Sequence, residues 1–250
     1  MYNFIMFNLQ HNLYMIISGW LTIMLLIIVA KCVKKQKAKN TILQIFAIAT
    51  VVIHYSNLWV DFFATGGTAY IENNHILPVY PCNVLMWMLL IVALLNNKKS
   101  VIFHMLAEFC FYAGTISGIV GIVFNINFGH NPTLADYNIL KGMLSHSTMI
   151  FACIYLLVGR FIKIRVFNAL SVTAGLGCFV ICGLVVNSLY EAFGMVAPDG
   201  MFLYSNPIIP VSPILLGLIA VIFIFGILAL WELKLPREER WYVKLFERKK

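Results

Sequence analysis

Two residues in the sequence have the chemistry of a nucleophile and its base. Cys82 follows Pro81 in the run Pro78-Val79-Tyr80-Pro81-Cys82-Asn83-Val84-Leu85-Met86-Trp87-Met88, where a proline-marked loop runs into an apolar stretch. Proline suits the first position of a helix, because its missing N–H would have no partner there anyway. Cys82 and Asn83 therefore fall in a first turn, among unpaired N–H groups at the positive end of the helix dipole. Such a setting favours the thiolate, which is the nucleophilic form, and the free amides can stabilise an oxyanion. His146, in Ser145-His146-Ser147-Thr148, is the imidazole that could take the thiol proton during attack on an acyl carbonyl. The same two residues also read as a packed thiol and a histidine bonded to a backbone carbonyl.

A wider polar set surrounds this couple. His54, Asn57 and Asp61 recur at i, i+3 and i+7, so they share one helix face. Asn83, Lys141, Ser147 and Asn187 fall in the same half of their segments and complete a substrate-binding or supporting set. An ionisable group at the bilayer centre costs at least about 2.5 kcal/mol, which makes each a candidate for substrate contact or proton relay. An Asp61–Lys141 pair and hydrogen bonds between helices are the structural reading. His104 and Glu108, at i and i+4 nearer the opposite side, would serve a small proton-coupled transporter or lipid-binding scaffold, the rival to an enzyme. The six cysteines have no metal-site or disulfide grouping, Cys178 and Cys182 having only helical spacing, so no metal is expected. Walker, dinucleotide and His-Glu-x-x-His motifs are absent from the sequence, and no soluble cofactor is expected.

The elements that must position these residues are membrane helices. A chain that is 61% hydrophobic and 11% charged is far from the balance of a soluble domain. Its apolar stretches exceed the roughly 18 residues that argue for a spanning helix, and barrel-type alternation is absent. Seven spans are expected, at about 12–30, 41–64, 79–95, 101–124, 138–159, 166–190 and 212–231. The fold class is thus all-α and polytopic, a single domain over 1–231 with a basic tail over 232–250. With the N-terminus outside and the C-terminus cytoplasmic, 17 of the 18 Lys and Arg residues, all but Lys141, fall on the cytoplasmic side, as the positive-inside rule requires. The net charge of +8 is therefore a topology signal, and no basic stripe suited to nucleic acid is present. The first segment lacks a basic start and a small-residue cleavage site, so it is expected to be retained. Trp241, Tyr242, Leu245 and Phe246 punctuate the tail, which suits either an amphipathic helix on the inner surface or a solvated tail. The seventh span holds no lysine, which removes the usual retinal attachment point.

The Leu77-Pro78-Val79-Tyr80-Pro81-Cys82-Asn83 run, the later Pro132, and Ser145-His146-Ser147 followed by Ile154-Tyr155-Leu156-Leu157 resemble the YwaF-like bacterial integral membrane proteins. That group is related to the eukaryotic transmembrane protein 164 acyltransferases. The resemblance runs over the order of spans from about residue 40 to residue 230. It implies acyl transfer between phospholipids, with Cys82 as the acyl-accepting nucleophile and His146 as the general base. Membrane phospholipids would be both donor and acceptor, in a bacterial plasma membrane, and hydrolysis instead of transfer is the variant outcome.

Overall fold

The computed structural model describes residues 7–64, 66, 79–125, 128, 133–204 and 211–243. Among them the main helices are α1 (Leu9–Cys32), α2 (Gln36–Ala64), α3 (Pro81–Leu94), α4 (Val101–Val123), α5 (Tyr137–Val158), α6 (Asn168–Ala192) and α7 (Pro213–Glu232). No strand occurs among the described residues. All but α3 are long and apolar enough to cross a membrane. α3, with 14 residues, spans ~21 Å at about 1.5 Å per residue, short of a hydrocarbon core of about 30 Å.

Local chemistry sets the helix ends. The Asn8 side chain accepts from His11 N at the start of α1, and Ser100 does the same for Phe103 N at the start of α4. Asp136 caps α5 by accepting from Asn138 N and Ile139 N, as short polar side chains do at N-caps. Pro81 opens α3, the position its sequence context called for. α2 begins at Gln36 instead of near residue 41, because Lys37 and Lys39 are good helix formers and their charge does not break the turn. Beyond α3, the Lys98 ammonium donates to the carbonyls of Val92 (2.6 Å) and Ala93 (2.9 Å) and lies over the Phe103 ring. Burial pulls that lysine below its ordinary value, while the carbonyls it closes are those a helix end leaves unpaired.

α5 is the central helix. It runs antiparallel to α2, with Tyr137 donating to Ser56 Oγ (2.7 Å), Lys141 to the His54 carbonyl (3.0 Å), and Thr50 to Thr148 Oγ1 (3.0 Å). The Phe46 and Phe151 rings close that seam at 3.8 Å. α4 packs on another side of α5 through glycines. A Cβ on Gly114 would come within 2.5 Å of Cys153 Sγ, and one on Gly118 within 2.5 Å of Ile150 Cγ1. One on Gly121 would strike the His146 ring. Small residues thus let the two helices approach closely. A π-helical turn over Cys110–Gly114 interrupts α4 there, re-phasing its two halves.

The buried core lies where α2, α3, α4 and α5 meet, around Leu43, Leu85, Leu89, Phe103, Met149 and Tyr155. α1 and α7 sit at the edge with largely exposed apolar faces. α1 is held through His11 Nε2, which donates to the Ile122 carbonyl at 2.8 Å, and through Tyr14 and Ser147, whose hydroxyls lie 2.9 Å apart.

The tail is docked as far as Val243. Glu232, 1% exposed, accepts from Val166 N (2.7 Å) and Trp241 N (2.8 Å). Arg165 pairs with Glu239 at 2.6 Å, and Trp241 packs edge-on against Phe225. Glu232 was not singled out by the sequence, where it reads as one more tail charge. Leu245, Phe246 and the rest of 244–250 lie outside the described residues.

Candidate functional site

Cys82 sits at the second position of α3, half-buried. Its thiol donates to Asn83 Oδ1 at 3.3 Å, and Asn83 is itself buried. Two first-turn amides, of Asn83 and Val84, both donate to the Tyr80 carbonyl, at 3.0 and 3.4 Å. Pro81 has no N–H, so the first-turn amide left over is that of Cys82 itself. This leaves the Cys82 amide, immediately beside the sulfur, as the first-turn donor with no backbone acceptor among the described residues.

His146 lies ten residues into α5. Its Nδ1 is 2.7 Å from the Gly142 carbonyl of its own helix. A carbonyl can only accept, so Nδ1 carries a hydrogen, and in the neutral ring Nε2 is then the unprotonated nitrogen. That tautomer is the one a general base needs, and the ring is oriented by a backbone acceptor in the manner of a triad's third member. Gly121 of α4 makes the space that the Nε2 edge occupies.

The thiol and the imidazole are not hydrogen-bonded to each other. The helix registers show why. Trp87 donates to Tyr55 (3.0 Å) and Gln44 to the Ala93 carbonyl (3.3 Å), which sets the start of α3 near the level of Tyr55 in α2. The Lys141–His54 and Thr148–Thr50 contacts carry that level to about residue 140 of α5. His146 is then roughly 9 Å deeper at about 1.5 Å per residue. Its side chain leans back toward the start of α5 and recovers part of that distance. Cys82 and His146 are two groups at different depths of one bundle, not a preformed couple.

The supporting set divides in the same way. His54 and Asn57 are buried on α2, and the His54 carbonyl takes the Lys141 ammonium, which is 9% exposed. Asp61 belongs to the last turn of α2, but its side chain lies outside the described residues, as do Leu77, Pro78 and Pro132. Ser147 donates to the Met143 carbonyl (2.9 Å) and meets Tyr14. Asn187 is far along α6, where its Oδ1 accepts from Gly200 N at 2.7 Å and its buried Nδ2 has no partner. That bond ties down a turn over Gly200–Phe202 that reaches the start of α3. Met201 N donates to the Val79 carbonyl (2.7 Å), and the Phe202 ring stacks on Tyr80. Asn187 therefore acts on the loop over the Cys82 helix. Glu108 accepts from Ser171 of α6 at 2.5 Å, a partner on another helix.

An apolar cleft of about 430 Å³ opens between α1, α2 and α5, and neither Cys82 nor His146 is among the residues that line it. Tyr14, Ile17, Phe46, Leu144 and Phe151 line it, with Ser147 and Thr148 at its wall. A second cleft of about 260 Å³ lies across α1, and Ser18, Thr22 and Ser147 border both. Tyr14 and the Thr50–Thr148 contact carry no motif, so sequence spacing did not mark them. No group of three or more metal-ligating side chains occurs among the described residues.

Fold and site together define a multi-pass helical membrane protein with a cysteine at the start of α3 and an oriented imidazole in α5. The chain belongs to the TMEM164 family, whose family model matches residues 6–236. Neither a curated protein nor a solved structure matches it.

Proposed function

We propose that this protein is a lipid acyltransferase of the bacterial plasma membrane, with Cys82 as nucleophile and His146 as general base. The observation that carries the reading is the His146 ring. Its Nδ1–Gly142 bond (2.7 Å) leaves Nε2 as the proton acceptor, and its neighbours Ser147 and Thr148 wall the 430 Å³ apolar cleft. A cleft of that size suits an acyl chain entering from the bilayer.

In the first half-reaction the Cys82 sulfur attacks the ester carbonyl of a donor phospholipid, and the thiol proton goes to His146 Nε2. The C–O bond breaks, and the departing lysolipid oxygen takes that proton, leaving the acyl group as a thioester on Cys82. In the second half, the acceptor hydroxyl gives its proton to His146 and attacks the thioester; the C–S bond breaks, and the leaving sulfur takes that proton back from His146. Water in place of that hydroxyl gives hydrolysis. The Cys82 amide is the donor available to the tetrahedral oxyanion. The offset of roughly 9 Å between the two levels implies that substrate, or a shift of the short α3, brings thiol and imidazole into register.

Seven crossings with the N-terminus outside fit this scheme. α3 would be the short crossing, starting below the outer surface. The placement of 17 of 18 basic residues on one side supports that orientation.

The test is lipid turnover by purified protein in proteoliposomes carrying labelled phospholipid. Cys82→Ala and His146→Ala should each lose turnover while still unfolding cooperatively, His146→Ala at a lower temperature because it gives up the Nδ1–Gly142 bond. Unchanged turnover in Cys82→Ala would remove covalent catalysis and leave a binding scaffold.

A further inference from the structure

At the end of the bundle opposite Cys82, a cavity of about 170 Å³ opens where the end of α1, the first turns of α2 and the end of α5 meet. Three of its lining residues are cations, Lys34, Lys39 and Arg160, and none is acidic. Lys34 is held over the end of α1 by a bond to the Ala30 carbonyl (3.1 Å), which uses one of the three ammonium hydrogens. Arg160 reaches the rim because the chain turns sharply there. It takes a left-handed backbone (φ 64°), with its N donating to the Leu157 carbonyl at 2.9 Å. The preceding Gly159 is required by the same turn, since a Cβ there would come 2.8 Å from the Tyr155 carbonyl.

The remaining polar group is Tyr155. It lines the cavity yet is 1% exposed, wedged between the Phe151 and Phe161 rings. Its hydroxyl has no hydrogen-bond partner among the described residues. Buried hydroxyls are nearly always satisfied, and this one belongs to a residue that lines the cavity together with the three cations. Arginine and lysine clusters of this kind recognise phosphate, arginine through paired N–H groups and lysine as a point charge.

We propose that this cavity binds a phosphate group through Lys34, Lys39 and Arg160, with the Tyr155 hydroxyl as the inner donor. The phosphate is that of an anionic lipid headgroup or a free phosphate ion. The site is separate from Cys82 and stands whether or not acyl transfer does. Its volume, several times the ~30 Å³ share of one water, admits a tetrahedral oxyanion. The surrounding helix ends would be tied together by it.

The experiment is thermal unfolding of the full chain in neutral detergent, with phosphatidylglycerol or with inorganic phosphate as probe. Wild type should unfold at a higher temperature in the presence of probe. A shift with the lipid alone identifies the headgroup, and a shift with both probes identifies phosphate itself. Tyr155→Phe should fold as stably as wild type without probe, because it loses only an unpartnered hydroxyl, and bind about tenfold more weakly, as loss of a hydrogen bond to a charged group implies. Lys39→Gln and Arg160→Gln should weaken it at least as much. No shift with either probe, or the same shift in wild type and all three variants, would overturn the site.

Discussion

Gly121→Ala separates the role of His146 from the stability of the bundle. A Cβ at this position meets Cδ2 and Nε2 of the His146 ring, whereas a Cβ at Gly118, one turn away on the same face, meets the aliphatic Ile150. Overpacking costs about 1–3 kcal/mol, and alanine recovers about 1 kcal/mol over glycine within a helix. Gly118→Ala should therefore cost roughly 0–2 kcal/mol net. Gly121→Ala should cost about 1 kcal/mol more, because moving the ring breaks the Nδ1–Gly142 bond. Their effects on activity should differ far more. Displacing a general base lowers the rate by about 10²–10⁴-fold, while Gly118→Ala should stay near wild type. The assay is acyl exchange in proteoliposomes, paired with melting curves of the same preparations. Equal losses of activity in the two variants, tracking stability alone, would refute a catalytic role for the ring.

Other expectations follow from particular contacts. Glu232→Gln keeps one acceptor but turns an NH₂ toward Val166 N or Trp241 N, so it should destabilise by about 1.5–3 kcal/mol and raise hydrogen exchange at those two amides. Thr50→Val and Thr148→Val, taken as a double-mutant cycle, should show a coupling near 0.6 kcal/mol in denaturant titrations, and zero coupling would mean that the hydroxyls contribute separately. Gly183→Ala places a methyl 2.5 Å from the Gly200 carbonyl, which is backbone and yields poorly. Proteolysis should then become faster within 194–204, because the turn that Asn187 holds has to lift.

The helices were legible because their cause is local. Runs of apolar residues and lysine clusters set six spanning helices within a few residues, and Pro81 marked the start of α3. The glycines of α4 share one face, and which α5 residues they meet depends on register. That register is where reading the sequence stops. Cys82 and His146 have suitable types, but their depths follow from α2, through Tyr55–Trp87 on one side and Lys141–His54 on the other. Asn187 likewise reads in the sequence as one of the substrate-binding or supporting set, and its partner is a loop glycine thirteen residues on. Glu232 gave no signal and Tyr155 figured only in the family resemblance, since their surroundings are backbone amides and cations that other segments bring to them.

The most direct measurement is intact-protein mass spectrometry after incubation with labelled phospholipid, before and after hydroxylamine. Acyl transfer through Cys82 requires a mass increase of one acyl chain that hydroxylamine removes. It should be absent in Cys82→Ala and enriched in His146→Ala, where the second half-reaction is slowed. Wild type and His146→Ala both free of adduct, with lipid turnover continuing, would contradict the thioester and with it the nucleophilic role of Cys82.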